Sequence, residues 1–333
     1  MTLCFAILGA GRIGKVHAKA IASQVSARII AVADTHAPSA QDLAALYGAE
    51  VRSIDQIAAE NGIDAVVICT PTDTHADLIE KFAKAGKAIF CEKPIDLNIA
   101  RVKSCLAVVR ACKATLMVGF NRRFDPHFSA LRHEIDKGSV GTVEMAVITS
   151  RDPGAPPVEY IKRSGGIFCD MTIHDFDMAR FLLGEEIAEV SATAAVLVDP
   201  AIGEVGDFDS VQVLLKTSSG RQAVISNSRR ATYGYDQRIE VHGSKGAVFA
   251  HNQRPVSIAL ATEKGFTEPA LHDFFVTRYV EAYAAEIAAF VGYVLEKSPA
   301  SPSGEDGLAA LVLAEAALRS VDERRTVQIS EFN

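Results

Sequence analysis

Residues 169–180, CDMTIHDFDMAR, set Asp170, His174 and Asp177 among the apolar spacers Met171, Ile173, Phe176 and Met178. Read as a helix, the three polar groups are spaced four and then three apart and share one face. Carboxylates and an imidazole beside apolar neighbours are costly unless each has a partner. Histidine titrates near neutrality, which suits a general base that removes a hydroxyl proton while hydride leaves the same carbon. His174 is the candidate base. Asp170, one turn away, can hydrogen-bond a substrate or His174 and favour the imidazolium once it forms. The same spacing also describes half a metal site or a satisfied core pair; no metal is expected here. Asp175 and Asp177 are expected to serve structure, pairing with Arg180 or Arg163.

A second candidate is Lys93 in Glu92-Lys93-Pro94. The proline biases Lys93 toward an extended backbone. At the rim of a ligand pocket its ammonium can hold a reacting oxygen and stabilise charge developing on it; the alternative is a solvated surface lysine. A third element is Gly9-Ala10-Gly11-Arg12-Ile13-Gly14, a G-x-G-x-x-G between an apolar run and a helical pattern. Its glycines permit the tight turn, the approach of backbone to a pyrophosphate and close helix–strand packing. The helix N-terminus then offers N–H groups to the phosphates. Asp34 ends the second apolar run, where a carboxylate accepts from the adenosine ribose hydroxyls and repels a 2′-phosphate. NAD is therefore expected over NADP, with Arg12 and His36 as the residues able to soften that preference. In CTPTDTH (69–75), Thr70, Pro71 and His75 are candidates for contacting the cofactor, and Asp73 is read equally as a helix cap.

The elements that must position these groups follow from periodicity. The runs 4–9, 28–34, 64–70, 87–93 and 115–120 are apolar enough for strands covered on both faces. Helical patterns lie between them at 12–23, 38–47, 73–85 and 98–112. This alternation predicts an α/β, doubly wound parallel sheet. After residue 121 a helix is expected at 126–137, then a strand at 144–150 and a Pro/Gly loop at 152–157. Several strands follow from about 187 to 260, as in a largely antiparallel sheet. Helices at about 274–297 and 305–320 close the chain. Two domains are expected, 1–121 for the cofactor and 122–333 for substrate and oligomerisation.

The chain has 333 residues, 34 basic and 41 acidic, with a net charge of −7. That balance argues against nucleic acid or an anionic membrane surface as a partner. The six scattered cysteines form no C-x-x-C pair, and Cys69 and Cys91 are expected to be small core hydrophobes. The start lacks the marks of a signal peptide and no apolar run is long enough to span a membrane, so a cytoplasmic location is expected.

GAGRIG, C-T-P-T-x-T-H, C-E-K-P and the later G-G-x-x-x-D-x-x-x-H together resemble the glucose-fructose oxidoreductase / inositol dehydrogenase / MocA family over essentially the whole chain. NRRFDP (121–126), TSRDPG (149–154), residues 165–184 and SRRATYGYDQR (228–238) look most like its bacterial myo-inositol 2-dehydrogenases. The resemblance implies a Rossmann domain followed by an α/β domain with a large open sheet, assembled as a homotetramer through that sheet. It implies a Lys93–Asp170–His174 catalytic set, with Ile13 and Glu92 among the cofactor-site positions. Arg123 and Tyr235 match substrate-holding positions, and Asp152 falls in the loop near that pocket. A polyol suits this polar inventory, although Arg123 could instead anchor the carboxylate of a sugar acid. The basic run 228–230 is read as a solvated or inter-subunit feature. The readings in competition are oxidation of myo-inositol at C2, oxidation of scyllo-inositol, chiro-inositol or a pyranose on the same scaffold, and a non-catalytic NAD-sensing regulator.

Overall fold

The apolar runs of the first 120 residues form strands because each is buried on both faces, as in β1 (Leu3–Leu8) and β4 (Ala65–Ile68). The computed structural model describes residues 2–332. With β2 (Ala27–Ala33), β3 (Glu50–Val51), β5 (Ala88–Glu92) and β6 (Leu116–Gly119) they make a parallel sheet in the order β3-β2-β1-β4-β5-β6. The order reverses between β1 and β4, the position at which such sheets bind ligands outside the strands' C-terminal ends. The helices Arg12–Ala22, Ala37–Tyr47, His75–Lys84 and Ile99–Cys112 fall where periodicity puts them.

Two elements of this sheet region escape that periodicity. β3 is two exposed residues with no apolar signal. The helix Ile54–Ala59 is short, but Ser53 and Gln56 form a reciprocal capping box that marks its start.

The chain forms two compact units, the first from Met1–Asp125 with Val280–Leu311, the second from Pro126–Tyr279 with Val312–Asn333. A single boundary at 121 therefore misplaces the segment that returns. The helix Val280–Glu296 packs on Arg12–Ala22, and Phe290 meets Phe5 and Phe90 edge-on, with ring centroids 6.1 and 5.7 Å away. The first unit thus recruits a distant helix to cover apolar surface that its own first 125 residues leave open.

The second unit holds a seven-stranded sheet in the order β12-β11-β7-β10-β9-β8-β15. Its strands are β7 (Val143–Arg151), β8 (Ile187–Ala195), β9 (Ser210–Thr217), β10 (Gln222–Ser228), β11 (Asp236–Gly243), β12 (Gly246–Ala250) and β15 (Val327–Gln328). β7 and β10 pair in parallel and the other neighbours are antiparallel. The helix Ile173–Leu183 lies against β7 and β10. On strands such as β9, burial alternates strictly. The open side carries large apolar groups in register: Leu214 opposite Val224, Val224 opposite Val147, and Phe249 one strand beyond Glu240.

The run 256–261, expected as another strand of this sheet, does not join it. Leu260–Thr262 (β13) pairs only with Gly265–Thr267 (β14) in a separate hairpin, and Val256, Ile258, Leu260 and Phe266 are exposed. Among the described residues no helix is long and apolar enough to cross a membrane, and all six cysteines are free thiols.

Candidate active site

In the first unit the glycine loop leaves β1 and enters the helix Arg12–Ala22. Gly9 has φ +98°, and a Cβ there would lie 2.6 Å from the Cys69 carbonyl oxygen; one on Gly14 would collide with the Gly9 carbonyl. Beyond Gly11 a Cβ would meet nothing within 4 Å, so backbone is open there beside the first-turn N–H groups of Arg12, Ile13 and Gly14. A pyrophosphate fits this cradle. Asp34 is half-buried at the end of β2. It accepts from the Ala10 N–H at 2.6 Å and the His36 N–H at 2.7 Å, which ties the loop to the strand end.

On the loop after β4, the Thr70 hydroxyl meets that of Thr74 at 2.6 Å, and Pro71 is exposed. His75 is buried, with its ring nitrogens 2.8 Å from the carbonyl oxygens of Pro94 and Thr70. It joins the loops after β4 and β5 instead of presenting a ring nitrogen to a ligand. Asp73 sits inside a 3₁₀ turn, and the helix His75–Lys84 has Thr74 at its N-cap, without a side-chain capping bond.

Glu92 and Lys93 close β5, both half-buried. The Glu92 carboxylate is 2.7 Å from His17 Nε2 and lies over Gly119, where any Cβ would be 3.2 Å from it. His17 is fully buried, edge-on to Phe90 and Tyr283, and its Nδ1 is 4.0 Å from Glu286. Burial, then the like charge of Glu92, pushes the Glu286 carboxyl well above the usual range. Burial and the Glu92 charge likewise push the thiols of Cys69 and Cys91 up, so both are inert core groups. Arg123 bonds Asp306 at 3.1 Å and Ser301 at 3.5 Å within the same unit.

In the second unit the opening stretch departs from a regular helix. Phe168–Thr172 is a π turn, followed by the α-helix Ile173–Leu183. Such bulges widen the ladder and often occur at functional sites. The face expected for three polar groups is thereby divided: Asp170 and His174 are part-exposed, whereas Asp177 is wholly buried. Asp175 is buried too and is held from the sheet below, accepting from Ser150 Oγ at 2.6 Å on β7 and from Asn227 Nδ2 at 2.8 Å on β10. Arg180 pairs with Glu186 at 2.6 Å.

Asp170 is held through both oxygens. Oδ1 accepts from the Tyr160 hydroxyl at 2.8 Å, and Oδ2 from Arg229 Nη1 at 3.0 Å. Arg229 is fully buried, which corrects its reading as a solvated or inter-subunit cation. Its Nη2 lies 3.6 Å from Asp207 Oδ2. Asp207 Oδ1 accepts from the Ile167 N–H at 2.9 Å, and a Cβ on Gly166 (φ +78°) would approach that oxygen to 2.7 Å. The Gly-Gly pair before the π turn therefore admits Asp207. Asp152 and Arg229 follow the C-terminal ends of the parallel pair β7 and β10, and the Asp152 N–H donates to Ser228 O at 2.9 Å. Tyr235 is buried, edge-on to Phe274 and Tyr279. Beside it Asp236 is fully buried; burial alone would raise it, but bonds from Arg238, Tyr233 and Asn252 outweigh that and hold it below the usual range.

His17, Glu286, Tyr160, Asp207 and Arg229 are the site-region residues that pattern reading misses. Glu286 had a signal, an acid at an apolar-face position of AYAAEIAAF. Arg229 in SRR had none.

Residues 3–120 match the oxidoreductase family with an NAD-binding Rossmann fold, and residues 128–249 match the GFO/IDH/MocA C-terminal domain. An inositol 2-dehydrogenase of Rhizobium meliloti (strain 1021) is 68% identical, over 99% of this chain and 100% of its own length. The crystal structure of a myo-inositol dehydrogenase from Corynebacterium glutamicum ATCC 13032 is 44% identical with a TM-score of 0.95, covering 98% of this chain and 99% of that one. That of a scyllo-inositol dehydrogenase from Lactobacillus casei, with bound NAD(H) and scyllo-inositol, is 29% identical with a TM-score of 0.92, covering 99% and 100%.

Proposed function

Because this chain belongs to the GFO/IDH/MocA family of NAD-binding oxidoreductases, we propose that it oxidises myo-inositol at the 2-hydroxyl to 2-keto-myo-inositol (scyllo-inosose). The observation that carries this reading is full-length identity of 68% to a protein named inositol 2-dehydrogenase, in a chain with Lys93, Asp170 and His174 in the stretches that carry the family resemblance.

The glycine loop Gly9–Gly14 and Asp34 would hold NAD, which would supply the hydride acceptor for the carbinol carbon. The chain's own groups do the rest. His174 takes the hydroxyl proton. Lys93 donates to the same oxygen and stabilises it as it becomes a ketone. Asp170, held by Tyr160 and Arg229, accepts a hydrogen bond from the substrate or from His174. Arg123, Asp152 and Tyr235 hold the remaining hydroxyls. The glycine loop Gly9–Gly14 with Arg12 and Ile13 takes the pyrophosphate, Asp34 the adenosine ribose, and Thr70, Pro71, Glu92 and Lys93 the nicotinamide side, with His75 bracing those loops.

A substrate panel of myo-, scyllo- and chiro-inositol, glucose and xylose, each with NAD and NADP, tests the reading by absorbance of the reduced cofactor. The highest kcat/KM is expected for myo-inositol with NAD. A preference for scyllo-inositol, the ligand of the Lactobacillus casei relative, would replace the substrate and leave the reaction standing. We also propose a homotetramer, supported by the exposed apolar row Leu214–Val224–Val147 and Phe249 on the open sheet face, and a cytoplasmic location, supported by six free thiols.

A further inference from the structure

Arg229 is an unusual place to put a cation. Its side chain is fully buried, it follows β10, and its backbone N–H donates to Asp209 O at 2.8 Å. Asp209 is itself immobile: its carboxylate accepts from the N–H groups of Leu197, Val198 and Asp199 and from the Ser210 hydroxyl. A guanidinium keeps its charge in any environment, so burying it requires anionic partners with good geometry. The partners here are Asp170 at 3.0 Å and Asp207 at 3.6 Å. Asp207 is anchored in turn to the Ile167 N–H, at the entry to the π turn that carries Asp170.

We propose that Arg229 is a positioning residue for the reaction, fixing the orientation of the Asp170 carboxylate from below, with Asp207 as the counter-charge that fixes Arg229. This rests on the reading of Asp170 as a site residue. Among the groups that hold Asp170 are Tyr160 on the short helix Val158–Ser164 and Arg229 after β10. Tyr160 is exposed and replaceable by water. Arg229 is the more constrained partner, because its backbone N–H donates to Asp209 O and its buried guanidinium ion-pairs with Asp207 at 3.6 Å besides bonding Asp170. The planar guanidinium defines a direction for the carboxylate that a lysine ammonium, a point charge on a flexible stem, does not. Misplacement of a reacting constellation by about 1 Å can lower the rate by about two orders of magnitude.

The test is a double-mutant cycle in the full-length enzyme with myo-inositol and NAD: wild type, Arg229→Lys, Asp170→Asn and the double variant, each with kcat, KM and a thermal melt. Arg229→Lys is expected to lower kcat by about ten-fold or more with unchanged NAD affinity. Added to Asp170→Asn, the same substitution is expected to change kcat by less than about two-fold, because its effect passes through Asp170. Equal losses in the two backgrounds would make Arg229 a merely structural cation and overturn the proposal alone. Wild-type kcat in Asp170→Asn would overturn the parent reading and this one with it. If Arg229→Lys does not fold, Asp207→Asn replaces it in the cycle. That variant keeps an oxygen for the Ile167 N–H and leaves Arg229 in place with one counter-charge fewer, and the same two outcomes decide.

Discussion

In the first unit the buried carboxyl of Glu286 faces the His17 ring at 4.0 Å and, beyond it, the like charge of Glu92. In the second unit the buried guanidinium of Arg229 lies between two carboxylates, Asp170 and Asp207. Both clusters sit directly behind proposed site groups, Glu92–Lys93 in one case and Asp170 in the other. They are made tolerable by opposite means. Glu286 escapes the charge by holding its proton, and its state therefore depends on pH. Arg229 cannot do so and is matched by fixed anions, so its state does not. A carboxylate that must keep one orientation through a proton-transfer step is better held by the second device.

The largest effect expected from breaking this contrast is on Arg229. Arg229→Met leaves two buried or nearly buried carboxylates facing each other, and removing one partner of a buried ion pair costs about 3–5 kcal/mol. Urea denaturation should show that loss; a change below about 1 kcal/mol would mean that the cluster is solvated on opening and the contrast is false. Glu286→Gln should act more gently and with a pH signature. Burial raises the folded-state pKa of Glu286, so the native state favours the protonated form. Its contribution is fully present below the usual glutamate range and is lost as pH rises toward the folded value. The glutamine variant should melt close to wild type near about pH 5 and a few degrees above it near about pH 8. A constant difference across that window would mean that the folded and unfolded chains bind protons alike at Glu286, and that burial has not raised its pKa. The smallest effect on stability, and the most specific on function, is expected from Asp34→Ser. This carboxylate is half-buried and receives only backbone N–H groups, so the variant should melt near wild type while the NAD/NADP ratio of kcat/KM narrows. An unchanged ratio would remove Asp34 from the ribose site.

What the sequence disclosed about this architecture followed burial on two faces. β1, β2, β4, β5 and β6 are legible because a parallel sheet needs continuous apolar runs, and the glycine loop because its neighbours supply strand and helix context. β3 and β15 are two residues each and carry no period. The stretch 256–261 alternates like a strand yet is exposed, and only its last two residues enter a small hairpin, since alternation states which face is apolar and not what covers it. At the proposed site, Asp170 and His174 stand out in the sequence as polar intrusions into an apolar run. Arg229 was not, because burial of an arginine is decided by residues far off in sequence, here Asp170, 59 positions away, and Asp207. The π turn was equally hidden: one widened turn leaves the residue types unchanged.

The return of Val280–Leu311 to the first unit sets the order in which the protein can be made. Domains generally close as units while the ribosome is still working, the earlier one first. Here the first unit waits for a helix that lies beyond Pro126–Tyr279, so that stretch of the second unit is synthesised before the cofactor-binding half is whole. During that interval Phe5, Phe90 and His17 lack the Phe290 and Tyr283 rings that pack against them in the finished fold. A gene fragment stopping at 125 would encode a module with that wall missing.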